Sequence, residues 1–405
     1  MLLSFSIFFI FYTTLYKMTT LNNRINLVDA LRGFALLGIV LLHHVEHFDI
    51  ANFVESSYPL LTAIDKFLWN TVFFIFGGKM YAIFALTFGF SFYIQLENHK
   101  RRGENFAGRF FWRMCLLFMF GFLHVMFYSG EILSVYALAG MLIIPLRNLN
   151  TKTLTVLMII FMLEPWELVQ LGIGLFNNEY IPSSYPRIFY FNAVEAATTG
   201  TFWDMVTTNL TSGMVNSHIF AWRSGRYFQT LSLFLLGIIT GRGGLFAEAE
   251  KRNRCWKKVW CISIICFIPL YILKVCPAIA ELRPGISTPL SVMLSMWSNL
   301  SFATFLVSSF VLLWVKTKRW NIEFGRLIPY GRMSLSNYIC SSIFGSFIYY
   351  HWGLGLNTTS GALVSLLTGM AIFTIQLFFS KWWLTHHRRG PLEWVWNKLM
   401  WIKLK

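Results

Sequence analysis

Hydropathy divides this chain more firmly than any motif does. Runs of about twenty predominantly apolar residues recur along it, separated by short clusters of Lys and Arg. A run of that length crosses the hydrocarbon core of a bilayer as a helix, which satisfies its own backbone hydrogen bonds. Ten such segments can be drawn, near residues 28–47, 67–96, 109–128, 131–147, 153–176, 227–242, 257–276, 289–315, 329–350 and 362–385. The expected fold is therefore all-α, a polytopic integral membrane protein with about ten transmembrane helices. The second segment is overlong and is interrupted by "GGK" at 77–79, where a break is expected.

Composition agrees. Of 405 residues, 56% are hydrophobic and 13% charged, which excludes soluble multidomain classes. The net charge of +16 would suit a nucleic-acid partner if it lay on one polar face. Instead the cations sit in "ENHKRRGENFAGRFFWR" (97–113), "RNLNTK" (147–152), "EKRNRCWKK" (250–258), "KTKRW" (316–320) and "HHRRG" (386–390). These fall in alternate loops, as the positive-inside rule requires of cytoplasmic ones. No nucleic-acid partner is expected; the partner is the bilayer. The expected location is the cell inner membrane, multi-pass, with both termini cytoplasmic. His43, His47, Glu131 and His351 then lie toward the outer side and Arg32 toward the inner one.

The chain divides into four stretches. Residues 1–23 form an N-terminal extension, an extra helix or the product of an upstream start; they lack the positive n-region and cleavage site of a signal peptide. Residues 24–176 and 227–405 are the two halves of the membrane domain. Between them, 177–226 is an extracytoplasmic loop, and "TFWDMVTTNLTSGMVNSHIF" within it has the pattern of an amphipathic surface helix. The six cysteines are scattered without a C-x-x-C pair and read as small apolar packing residues.

Ionisable groups inside a bilayer are costly and persist where they pair, line a wet cavity or work. The first span, "LVDALRGFALLGIVLLHHVEHFDI" (27–50), carries two of them eleven positions apart, Arg32 and His43. Eleven helical steps return to within about 20° of the starting direction, so both lie on one face, about 16 Å apart. His43 reads either as an interfacial histidine at a helix end or as a general base, since imidazole accepts a proton near neutral pH. His43 and His47 also have the i, i+4 spacing of a two-histidine metal clamp. No spacing supplies a third ligand, and no metal site is assigned. Lys79 is either a snorkelling lysine or a cation meeting a phosphate or carboxylate. Glu131 opens a helix, and either its N-terminus or an imidazole would hold the carboxylate.

Six segments resemble, in order, the YeiB-like family of bacterial membrane proteins, a domain of unknown function. They are "RINLVDALRGFALLGIVLL", "KMYAIFALTFGFSFYIQLE" (79–97), "HVMFYSGEILSVYALAGMLI" (124–143), "LFLLGIITGRGGLF" (233–246), "GRMSLSNYI" (331–339) and "GPLEWVWNKLMW" (390–401). That family is distantly similar to the transmembrane acyltransferases, whose glycan O-acetylating members recurrently carry an Arg, ten residues and a His in the first span. Arg32 and His43 meet that pattern here, whereas many YeiB-like members carry Asn at the histidine. The resemblance implies a transferase moving an acyl group, acetyl first among candidates, from a cytosolic acyl-CoA to an envelope sugar or lipid. His43, Arg32 and Glu131 would be catalytic; Lys79, His124, Arg332 and Asn337 would hold substrate or donor. No cofactor is expected to be tightly bound, with acetyl-CoA or another acyl-CoA as co-substrate. The alternatives are a transporter or permease for a small anionic solute, and a non-catalytic membrane assembly component.

Overall fold

A computed structural model describes residues 25–50 and 53–402, and every regular element among them is helical. The expected extension at 1–23 lies outside the described residues. In chain order the helices are α1 (Asn26–Val45), α2 (Pro59–Phe76), α3 (Met80–Arg101), α4 (Ala107–Val125), α5 (Leu133–Ile143), α6 (Thr151–Met162) and α7 (Pro165–Phe176). Three short helices follow, α8 (Ile188–Thr199), α9 (Phe202–Thr208) and α10 (Met214–Arg223). The second half holds α11 (Arg226–Arg242), α12 (Asn253–Val275), α13 (Pro284–Lys316), α14 (Lys318–Gly325), α15 (Ser334–Tyr349), α16 (Ala362–His386) and α17 (Pro391–Met400). A five-residue helical turn, Ile328–Arg332, leads into α15.

The first span is the axis of the molecule. Asp29 in its first turn suits the positive end of the helix dipole, and its Leu, Ala and Val side chains are buried along most of its length. It packs against α2, α3, α15, α16 and the Ile328–Arg332 turn. The contact with that turn is backbone-close: a Cβ on Gly331 would sit 1.9 Å from the Asp29 carbonyl oxygen. The crossing of α3 and α11 follows the same rule, with Gly89 against the Phe234 backbone and Gly237 against the Leu86 backbone. Small residues let helices approach this closely where lipid supplies no hydrophobic drive between them.

Among the described residues six helical segments are long and apolar enough to cross a membrane: α1, the α2–α3 segment, α4, α12, α13 and α16. The pair α6 and α7, bent by 49° where Glu164 takes a left-handed conformation (φ 54°), makes a seventh if counted as one span. This is fewer than the ten expected, for a reason of length. The segment near 131–147 is an 11-residue helix followed by a short 3-10 turn, that near 227–242 a 17-residue helix, and that near 329–350 is divided at Met333. The expected break at "GGK" is present, with Gly78 at φ +71° against the Asn299 side chain. The protein is a multi-pass helical membrane protein.

Candidate functional site

One large cavity, about 1060 Å³, runs alongside α1 from Arg32 to beyond His43. Its middle is apolar, walled by Leu36, Ile39, Phe84, Phe88 and Leu117. Its two ends differ in chemistry.

At the first end, five arginines line the wall: Arg32, Arg113, Arg332, Arg388 and Arg389. Arg32 is held from both sides, donating to Asp29 Oδ1 at 2.8 Å and contacting Ser91 Oγ on α3. Arg113 on α4 donates to Gln95 Oε1 at 2.6 Å and stacks on Trp396, 4.0 Å from its ring centre. Arg332 donates to the Arg388 carbonyl at 3.2 Å. The C-terminal helix α17 completes this end. Its Glu393 accepts from the backbone N–H of Leu335 at 2.8 Å and of Ser336 at 3.2 Å, which caps α15. Burial raises the Glu393 carboxyl above the usual carboxylate range, against the opposing pull of these hydrogen bonds.

At the second end lies an acid–base cluster. His43 occupies the last turn of α1, and its Nδ1 touches Glu46 Oε1 one turn further on. Tyr128 OH lies 3.0 Å from the same nitrogen and donates to Glu46 at 3.3 Å. The carboxylate can only accept, so Nδ1 carries the proton and Nε2 presents its lone pair. The backbone then enters the left-handed region at three consecutive residues, His47, Phe48 and Asp49, with φ of 52°, 54° and 76°. Each such non-glycine residue costs about 1–3 kcal/mol and persists only where its surroundings over-determine it. Tyr350 OH donates to the Phe48 carbonyl at 2.7 Å and Tyr190 OH to the Asp49 carbonyl at 3.3 Å, which pins the turn. The result turns Asp49 back to the cavity, where it accepts from Ser129 Oγ at 2.9 Å. Burial, then the charge of Glu46, push the Asp49 carboxyl up to about 7.

The structure brings some expected site residues together and separates others. Arg32, His43 and Arg332 line one cavity, as does Glu131. Glu131, however, is not the partner of His43. Its carboxylate caps α5, accepting from the backbone N–H of Leu133 and Ser134 and, at 2.5 Å, from Ser134 Oγ. Lys79, Asn337 and His124 do not line this cavity. The ammonium of Lys79 lies over the rings of Phe74 and Phe302, 5.7 and 5.8 Å from their centres, and not on the cavity wall. Asn337 is buried in a lock between elements, donating to the Tyr330 carbonyl at 3.1 Å and to Ser380 Oγ at 2.9 Å. His124 sits behind the wall, its Nε2 2.7 Å from Ser342 Oγ. His47 turns to Ser365 Oγ at 2.9 Å, so it forms no clamp with His43. Among the described residues no group of three His, Cys, Asp or Glu could hold a metal.

Sequence reasoning missed Glu46 as the histidine's partner, although the i, i+3 spacing from His43 was available as a signal. Tyr128, Asp49 and the arginines of α4 and the α16–α17 link carried none, because only the tertiary fold brings them to α1.

Comparison with known proteins finds relatives whose own function is uncharacterized. Residues 240–403 match the family model described as "Protein of unknown function (DUF418)". Over 414 aligned residues the chain is 26% identical to "Uncharacterized protein YxaH" of Bacillus subtilis (strain 168), covering 95% of this chain and 96% of that protein. It is 28% identical to an "Uncharacterized 39.9 kDa protein in amylase 3'region" of Bacillus acidopullulyticus, with 94% of each covered. It is 25% identical to "Uncharacterized protein YeiB" of Escherichia coli (strain K12), over 92% of this chain and 95% of that one. A match through the C-terminal part and alignments that run nearly end to end point the same way: over almost its whole length the chain is similar to the YeiB-like proteins.

Proposed function

We propose that the protein is a transmembrane acyltransferase, moving an acyl group, acetyl in the first instance, from cytosolic acyl-CoA to an envelope sugar or lipid. The observation that carries this reading is a single cavity with an arginine-lined mouth at one end and a His43–Glu46 pair at the other. In this reading the arginine end faces the cytoplasm of the inner membrane, and both termini lie on that side. The phosphates of CoA meet Arg32, Arg113, Arg332, Arg388 and Arg389, because guanidinium and phosphate pair through parallel hydrogen bonds. The pantetheine arm lies along the apolar middle and brings the thioester toward His43.

The chemistry at that point balances without a further reactant. His43 Nε2 takes the proton of the acceptor hydroxyl as its oxygen attacks the thioester carbonyl. The new C–O bond forms, the C–S bond breaks, and the thiolate recovers the proton from the imidazolium. Glu46, on Nδ1, fixes the tautomer and stabilises the imidazolium. A second reading, a permease for a small anionic solute, draws on the same cavity because cations line both of its ends.

The test uses membrane vesicles containing wild type or His43→Ala at matched expression, with labelled acetyl-CoA on the cytoplasmic face. Label in extracted lipid or glycan with wild type, and none with the variant, supports transfer. Uptake of a small anion without His43-dependent label in any fraction moves the permease reading to first place.

A further inference from the structure

The His43 end of the cavity carries three guanidinium groups that the donor does not reach. Arg187 precedes α8, Arg223 closes α10 and Arg226 opens α11, and all three line the wall. Among the described residues no carboxylate oxygen lies within 4.0 Å of any of them. The guanidinium of Arg226 is held between two rings, 4.7 Å from the centre of Tyr81 and 4.6 Å from that of Phe220, and its Nε is shut off from solvent with no hydrogen-bond partner. Of the surrounding carboxylates, Glu46 is engaged with His43 and Tyr128 and Asp49 with Ser129, while Glu164, packed against Gly225, has no hydrogen-bond partner and forms no ion pair with Arg226 among the described residues.

Arg242, at the other end of α11, shows how this fold satisfies a purely structural arginine. It donates to the carbonyls of Leu149 and Arg147 at 2.8 and 3.0 Å. Among the described residues Arg226 has no such partner. Aromatic stacking sets its plane at the cavity wall, an arrangement suited to an oxyanion.

We propose that this end binds a phosphate group carried by the acceptor, with Arg226 as the principal contact and Arg223 and Arg187 at the rim. The proposal rests on the acyltransferase reading and narrows its acceptor class to phosphate-bearing molecules. Either a lipid headgroup or a soluble phosphorylated glycan presents that chemistry. The segment supplying the arginines exposes Ile188 and Trp203 away from the cavity lining, apolar side chains suited to a membrane interface. A lipid-borne phosphate would approach along that interface.

The experiment measures binding, separately from transfer. Protein in nanodiscs of phosphatidylcholine is titrated calorimetrically with glycerol 3-phosphate and with uncharged glycerol. The proteins are wild type, His43→Ala, Arg226→Gln and Arg223→Gln/Arg226→Gln, each checked for an unchanged gel-filtration profile and unchanged CoA binding. Glycerol 3-phosphate is expected to saturate wild type and His43→Ala alike and to bind Arg226→Gln about tenfold or more weakly, with a further loss in the double variant and no saturation by glycerol. Replacing part of the lipid by phosphatidylglycerol separates the sources. Competition with glycerol 3-phosphate marks a lipid headgroup, and an unchanged affinity marks a soluble phosphate.

Equal binding of glycerol 3-phosphate by wild type and the double variant, or none by wild type, overturns the proposal. The two readings fail differently. Binding with these properties but no acetyl transfer refutes the enzyme and leaves an anion site. Transfer to an uncharged acceptor, unaffected by Arg226→Gln, refutes the phosphate site alone.

Discussion

Glu46 holds Nδ1 of His43 from one turn further along the chain, and Tyr128 reaches both of them from the link between α4 and α5. The ring of Tyr128 stands edge-on to His43, centroids 4.8 Å apart, and to Phe48 at 5.4 Å, so the imidazole has little freedom to turn. An imidazole held this way is fixed in orientation at the cavity wall. Glu46→Gln removes the carboxylate but keeps the shape, and is expected to lower the transfer rate on the order of 10²-fold with little change in the KM for acyl-CoA. Steady-state kinetics of the variant would check this. An unchanged kcat would mean that the pair is structural.

Asp49 provides a pH signature. Its carboxyl is raised to about 7, so the folded protein holds a proton there that the unfolded chain releases near the ordinary value of 3.8. Stability from this group is therefore lost as pH rises from about 4 toward 7, because the folded state binds more protons. Asn mimics the protonated form and tolerates the left-handed backbone. Asp49→Asn is expected to unfold at a higher temperature than wild type at pH 8, and at nearly the same temperature at pH 4. A difference independent of pH would show that the carboxyl does not titrate in this range.

Glu131 belongs to the frame of the cavity. It caps α5, and Glu131→Ala is expected to cost about 1–2 kcal/mol of stability. The transfer rate of the protein that remains folded should change little. Thermal unfolding alongside kinetics distinguishes this from a role in catalysis, which would reverse the two sensitivities.

The glycine contacts make a prediction about packing. A Cβ on Gly237 would lie 2.4 Å from the Leu86 carbonyl oxygen, and backbone on both sides has no side chain to move away. Gly237→Val is expected to cost about 3 kcal/mol and to reduce folded yield, since overpacking a crossing of two helices displaces both. An unchanged unfolding temperature would mean that the crossing is looser than described.

Much of this was legible in the sequence, but unevenly. Helix positions followed from hydropathy because lipid burial imposes one rule on every segment. Span lengths did not, since a window cannot see a helix divided at Met333 or bent at Glu164. Arg32 and His43 were placed on one face by helical geometry alone, and both line the cavity. Lys79 was not placeable, because an apolar run does not say which flank meets protein. The rings of Phe74 and Phe302 receive it, and Phe302 belongs to a distant helix. Asp49 was out of reach for a different reason. Its place depends on three successive left-handed residues pinned by Tyr350 and Tyr190, and no local propensity foretells that turn.

The most direct test follows the thioester itself. Free thiol released from acetyl-CoA would be measured with wild type and His43→Ala in oriented liposomes, acetyl-CoA supplied to one face at a time and an envelope extract providing acceptor. The expected result is acceptor-dependent release only when acetyl-CoA meets the Arg32 face, lost in His43→Ala. Equal release by the variant, or release indifferent to the face supplied, would contradict a His43-based transfer across the membrane.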